Sequence, residues 1–141
     1  PPSRCYGCPM KKITLFITLV FSLTMFASTS FAEWTKVAEN VDGDTYYVDF
    51  STIKKNGGYV YYWRMRDYLK PDPFGDLSNK HLYELDCNIP IKERSLSATY
   101  HTQPMGKGPP SITDNTTSDW FYWTPNSISA YRVERVCAYT N

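Results

Sequence analysis

The chain has 141 residues, 42% of them hydrophobic and 16% aromatic, with fifteen Lys or Arg against fourteen Asp or Glu. That length holds one ordinary domain and excludes a multidomain array, and a formal net charge of +1 excludes a strongly charged chain. The aromatic density suits the firm core of a small β domain, with Tyr to spare for a recognition surface.

The chain opens with "PPSRCYGCP", and Met10 follows it. Two lysines come next, then the uncharged run Ile13 to Phe26, then the small-residue site Ser30-Phe31-Ala32. A basic start, an apolar stretch and an A-x-A-like site in that order form a secretory signal peptide. Its fourteen uncharged residues, 13 to 26, are fewer than the roughly 20 that span a bilayer as a helix. The expected organisation is therefore an upstream extension over 1–9, a signal peptide over 10–32 and one domain over 33–141, with no membrane span once the signal is removed. Cys5 and Cys8 lie in the extension, where the further ligands of a zinc site and the strand-to-helix setting of a redox pair are both missing. Residues 33–141 carry twelve Lys or Arg and fourteen Asp or Glu, a net charge of −2, so no basic footprint for nucleic acid remains. No cysteine follows Ala32 to take a lipid anchor, which points to a periplasmic, secreted or cell-surface product. Cys87 and Cys137 are the two cysteines left, and an exported chain with two cysteines normally joins them.

From Glu33 the pattern reads strand, turn, strand. Asp42-Gly43-Asp44 supplies the turn, and Tyr46, Val48 and Phe50 alternate with Tyr47 and Asp49. Asn56-Gly57-Gly58 is the strongest hairpin signal in the chain. Beyond it Tyr59, Tyr61, Trp63 and Met65 share an apolar face, and Val60, Tyr62, Arg64 and Arg66 share a mixed one. "LKPDPFGDLS" is a loop. Strand alternation resumes with His81, Tyr83, Leu85 and Cys87 on one face, and then with Leu96, Ala98 and Tyr100 on one side of a further strand. "TQPMGKGPPSITDNTTS" reads as a long irregular loop, and "DWFYW" as a short last strand. The tail changes period: Thr124 caps a helix and Pro125 takes its first position. Ala130, Val133, Val136 and Cys137 form the apolar stripe, and Arg132, Glu134 and Arg135 occupy the other sides. Both cysteines point inward on these periods, as a helix-to-sheet disulfide requires. The expected fold is α+β: an antiparallel sheet of about six strands with one C-terminal helix packed on a face and stapled by Cys87 and Cys137.

The same residues offer little to catalysis. His81 and His101 are the only histidines, no Gly-x-Ser-x-Gly elbow is present, and no spacing organises them with Asp86 as metal ligands. Gly106-Lys107-Gly108 lacks the rest of a phosphate loop, Tyr46 and Tyr47 interrupt any calcium loop begun by Asp42 and Asp44, and Asn115 heads a short glycosylation-type triplet. The expectation is no enzyme, no catalytic residue, no metal and no cofactor.

Trp34 with Val37, "YYVDFSTI", "GYVYYW", "YELDC", "RSLSATY", "GKG" and "WTPNSI" with "VCAY" follow one another across nearly all of residues 33–141. In that combination the chain resembles the surface-adhesin protein E family of exported bacterial proteins. The resemblance implies a six-stranded antiparallel sheet, a C-terminal helix and a Cys87–Cys137 disulfide. It also implies adhesion to host extracellular-matrix or plasma proteins such as vitronectin and laminin, and association as a homodimer. The family's binding segment matches Ser78 to Ser95, where Lys80, Lys92 and Arg94 stand among Glu84, Asp86 and Glu93. The expected contact residues are Tyr62, Arg64, Arg66, Lys80, Lys92 and Arg94, all assigned to outward or mixed strand faces. The alternative function is a periplasmic module that binds a small ligand or inhibits another protein. Aromatic side chains converging on a cavity would favour that alternative, and a broad exposed surface would favour adhesion.

Overall fold

Seven strands and one helix are laid out in the computed structural model, which describes residues 32–141. The extension and signal peptide read at 1–32, with Cys5 and Cys8, therefore fall outside the described residues except for Ala32. The strands are β1 (Trp34–Glu39), β2 (Thr45–Asn56), β3 (Tyr59–Asp67), β4 (Ser78–Asp86), β5 (Lys92–His101), β6 (Ile112–Asp114) and β7 (Phe121–Tyr122), and the helix α1 is Ile128–Tyr139. All pairings are antiparallel, β1 to β6 follow chain order across the sheet, and β7 joins β5 beside β6. Among the described residues no helix is long and apolar enough to cross a membrane.

Register decides which strand face meets the helix. Val60 lies opposite Leu85 and Tyr62 opposite Tyr83, and these four pack with Val37, Val48, Val133, Val136 and Cys137 in the core. The helix thus covers the face of β3 that reads as mixed, and the face with Tyr59, Tyr61 and Trp63 is left half-exposed. The hydrophobic pattern misleads here because the opposite face carries three aromatic rings and Met65, of which Met65 alone is fully buried, while the core face carries polar groups that are satisfied by partners far along the chain. Bulges add local departures from strict alternation. Val37 is the extra residue of β1, and 50–53 of β2 stand where β3 offers only Tyr62. Asp49, buried at that second irregularity, accepts bonds from the Ser51 amide and hydroxyl.

The segment after β5 is far more regular than its composition suggests. Ser111 donates its amide to the Tyr100 carbonyl, β6 pairs with Ala98 to Tyr100, Ser118 donates its amide to the Ser95 carbonyl, and β7 pairs with Lys92 and Glu93. A discontinuous strand therefore runs beside β5 and occupies its edge. The turn at Pro104–Gly106 is tied down as well, through the Met105 amide to Asp67 and the Gly106 amide to Ser78 Oγ. Gly106 has φ +63°, and a Cβ there would come within 2.9 Å of the Lys80 side chain, so glycine is needed for both reasons.

Helix α1 begins three residues later than the pattern of Thr124 and Pro125 indicates. Asn126 takes the left-handed conformation at φ 63° and ends the preceding turn, and Ser127 Oγ then accepts the Ala130 amide at 3.1 Å as the N-cap. The expected stripe of Ala130, Val133, Val136 and Cys137 is buried. Arg132 is buried too, at 2% exposure, where the helical period had placed it among the outer residues.

Arg132 ends at the centre of a polar knot. Its guanidinium bonds the Glu93 carboxylate, which also accepts the Tyr62 hydroxyl at 2.5 Å and Trp123 Nε1 at 2.6 Å. Burial alone would push the Arg132 cation toward losing its proton, but the Tyr62 and Glu93 oxygens outweigh burial and hold it protonated. Burial, together with the adjacent Glu93 charge, keeps the Tyr62 hydroxyl protonated well above the usual phenol range. Removing one member of such a pair strands the other charge in a dry interior. Glu93→Gln therefore costs about 3–5 kcal/mol in urea unfolding, and Glu93→Gln with Arg132→Met recovers most of it. Equal losses in the single and double variants would show that the pair is not the source.

The Cys87–Cys137 disulfide joins the end of β4 to the helix and closes a separation of 50 residues. A loop of that size is worth roughly 4 kcal/mol of unfolded-state entropy. Reduction of the bond lowers the thermal midpoint by more than about 10 °C. An unchanged midpoint would mean that the staple contributes nothing.

Candidate binding site

The six expected contact residues divide between the two sides of the sheet. Tyr62, Arg64 and Arg66 lie on the helix side, opposite Tyr83, His81 and Asn79 of β4. Lys80, Lys92 and Arg94 lie on the other side, in register with Thr99, Asp86 and Glu84. Only the second trio shares a surface that the helix leaves open.

On the helix side the expectation of outward-facing contacts is corrected. Tyr62 has no exposure, because its ring is in the core and its hydroxyl is spent on Glu93. Arg64 is 7% exposed, donates to the Tyr83 hydroxyl at 3.3 Å, and has no acidic partner among the described residues. Arg66 is half-buried, bound to Asp44 at 2.6 Å and flanked by the rings of Tyr46 and Tyr68 at 5.3 and 4.8 Å. Mixed composition on that face reflected buried polar anchoring rather than solvent exposure.

The open side is an aromatic plane edged with cations. Tyr61, Trp63 and Leu82 are half-buried on adjoining strands, and Trp120 is brought over from the segment preceding β7. Trp120 receives the Arg94 guanidinium at 4.6 Å and the Lys92 ammonium at 5.1 Å, and its ring lies 5.6 Å from that of Tyr59. Neither cation is free: Arg94 grips the buried Glu84 at 3.0 Å, and Lys92 approaches Asp86 at 3.7 Å. The Lys80 side chain passes close to Gly106. The surface therefore offers flat rings and two shared donors, with Lys80 as the bordering cation that has no acidic partner among the described residues. Trp120 lies too far in sequence from β3 for strand periodicity to place it here.

A second feature lies on the helix side beyond the end of α1. A cavity of about 330 Å³ is lined by His81, Tyr83, Tyr100, Asp114, Phe121 and Trp123, with Ser and Thr hydroxyls between them. The His81 ring stacks on Tyr83 at 5.5 Å and meets the edge of Tyr100 at 6.0 Å. Burial first, then the Arg64 and Arg132 cations, push the His81 imidazole down to about 3, with Asp114 opposing. His81 is therefore neutral at ordinary pH. Among the described residues no group of three or more His, Cys, Asp or Glu is arranged to hold a metal ion.

An antiparallel sheet carrying one disulfide-stapled helix, with an open aromatic face, defines a small α+β domain. The family model described as Surface-adhesin protein E matches residues 34–138, and the chain belongs to that family. The comparison with curated proteins and that with solved structures returned no match.

The depressed His81 value sets a pH dependence. The unfolded chain takes up a proton near pH 6.5 and the folded domain resists it down to about 3, so stability is full above 6.5 and falls with pH across that window. His101 is shifted in the same direction, by burial and then by Lys80. Between pH 7.5 and pH 5 the His81 share of the loss is about 2 kcal/mol in urea unfolding, and His81→Phe removes that share. An undiminished loss in the variant would refute this assignment.

Proposed function

We propose that the domain is an exported, non-enzymatic adhesive module that binds host extracellular-matrix or plasma proteins of the vitronectin and laminin kind. The observation that carries this reading is the open sheet face, where Tyr61, Trp63, Leu82 and Trp120 stay half-exposed with no helix above them. Rigid aromatic rings bury large areas at low entropic cost, and they dominate the energetic centres of protein interfaces. Lys80, Lys92 and Arg94 border this face, and the carboxylates beside Lys92 and Arg94 limit their long-range pull. Contact energy is then supplied chiefly by the rings, with the cations fixing orientation. Membership of the Surface-adhesin protein E family supports the adhesive role, and the leader pattern of residues 10–32 supports export.

The test is binding of the domain to immobilised vitronectin and laminin across a salt series. Saturable binding is expected, weakening only a few-fold from low to high salt, because two of the three bordering cations, Lys92 and Arg94, are already paired. Trp63→Ala and Trp120→Ala each reduce affinity by at least about tenfold, the behaviour of a central aromatic contact. Joint replacement of Lys80, Lys92 and Arg94 has a smaller effect. Absence of saturable binding by the folded domain at low salt would overturn the adhesive reading.

A further inference from the structure

We infer that the cavity around His81 is a binding site for a single neutral sugar ring, on the side of the sheet opposite the proposed adhesive face and sharing no residue with it. Its volume of about 330 Å³ falls at the small end of the range for small-molecule sites, roughly 300–1,000 Å³, and so suits one ring. Aromatic walls surround it: Tyr83, Tyr100, Phe121 and Trp123 all contribute, and Phe121 keeps 46% of its surface exposed, leaving part of its ring for a ligand. A pyranose presents C–H groups on its faces and hydroxyls around its rim, and so matches apolar ring walls interrupted by hydrogen-bonding groups.

The polar groups are of the required kind. Asp114 accepts the Thr116 amide at 2.8 Å and the Thr116 side chain also engages its carboxylate, which is otherwise open to solvent on the cavity wall. His81 engages Ser95 Oγ through Nδ1 at 3.2 Å, which leaves Nε2 without a protein partner among the described residues. A carboxylate that accepts hydroxyl protons and a neutral imidazole that donates or accepts one are together suited to vicinal hydroxyls.

Charge selects a neutral ligand over an ionic one. Arg132 is balanced by Glu93, whereas Arg64 is buried behind Tyr83 and His81 with no acidic partner among the described residues. Asp114 is the carboxylate on the cavity wall. An amine would meet the field of Arg64 that already disfavours a proton on His81, and an acidic ligand would meet Asp114. The two opposed charges leave the cavity close to neutral.

The experiment is an NMR titration of the purified protein with methyl glucoside and methyl galactoside, with glucosamine and glucuronate as charged counterparts. Neutral glycosides are expected to shift the His81 ring and Trp123 indole signals saturably at millimolar concentration. Phe121→Ala and Asp114→Asn, both at exposed positions, weaken that binding at least fivefold while leaving the thermal midpoint unchanged. A parallel titration with a glycoprotein before and after removal of its glycans separates the two sources: His81 and Trp123 shifts that vanish on glycan removal mean that the ring is taken from a host glycan, and shifts with the free glycosides alone mean that it is taken free. No saturable shift with any neutral sugar, stronger binding of either charged counterpart, or shifts insensitive to both variants would overturn the inference.

Discussion

The Glu93 carboxylate sets the terms for the rest of the structure. It stands on β5 with no solvent exposure, a position that costs several kcal/mol unless the charge is paired and hydrogen-bonded. Three donors from three separate regions meet it: Tyr62 from β3, Trp123 from the segment after β7, and Arg132 from the helix. The knot therefore does more than neutralise a charge. It fixes the helix over one half of the sheet and draws the chain around Trp123 against β5, so that β7 lies on that edge. The cavity wall and the position of Trp120 both follow, since Phe121 and Trp123 belong to the same tethered stretch.

The two sides of the sheet consequently do different work with similar residues. Tyrosines and arginines on the helix side are immobilised: Tyr62 is spent on Glu93, Tyr83 receives Arg64, and Arg66 is clasped by Asp44, Tyr46 and Tyr68. On the far side the aromatic plane keeps part of its area for an outside partner. The disulfide acts at the hairpin end, where the helix finishes, and the polar knot acts nearer the middle, so the helix is held at two places by unrelated chemistry. A reducing environment would release the first and leave the second.

The main strands, the helical stripe and the inward aim of Cys87 and Cys137 were legible in the sequence because each rests on local periodicity. The sidedness of β3 was not. Val60, Tyr62, Arg64 and Arg66 read as a mixed face because periodicity counts hydrophobicity and cannot register that Tyr62 has a buried acceptor 31 positions away. Glu93 gave no local sign of burial, since it sits between Lys92 and Arg94 in an ordinary charged strand. Arg132 did leave a trace: it stands four residues before the buried Val136, which puts it on the apolar stripe once the period is applied without regard to charge. The edge strands were hidden for another reason. Their order comes from backbone bonds to β5, and composition rich in Gly, Pro, Ser and Thr does not predict where a neighbouring strand waits.

The discontinuous strand formed by β6, Ser118 and β7 has a consequence for self-association. With the outer side of β5 occupied by the chain's own backbone, β1 is the long margin of the sheet among the described residues. The two margins are therefore unequal: β1 offers six residues of edge, whereas β6 and β7 offer three and two with a break between them. Two copies that join through β1 use their long margins on each other, and only the short, interrupted pieces are left for further strand addition.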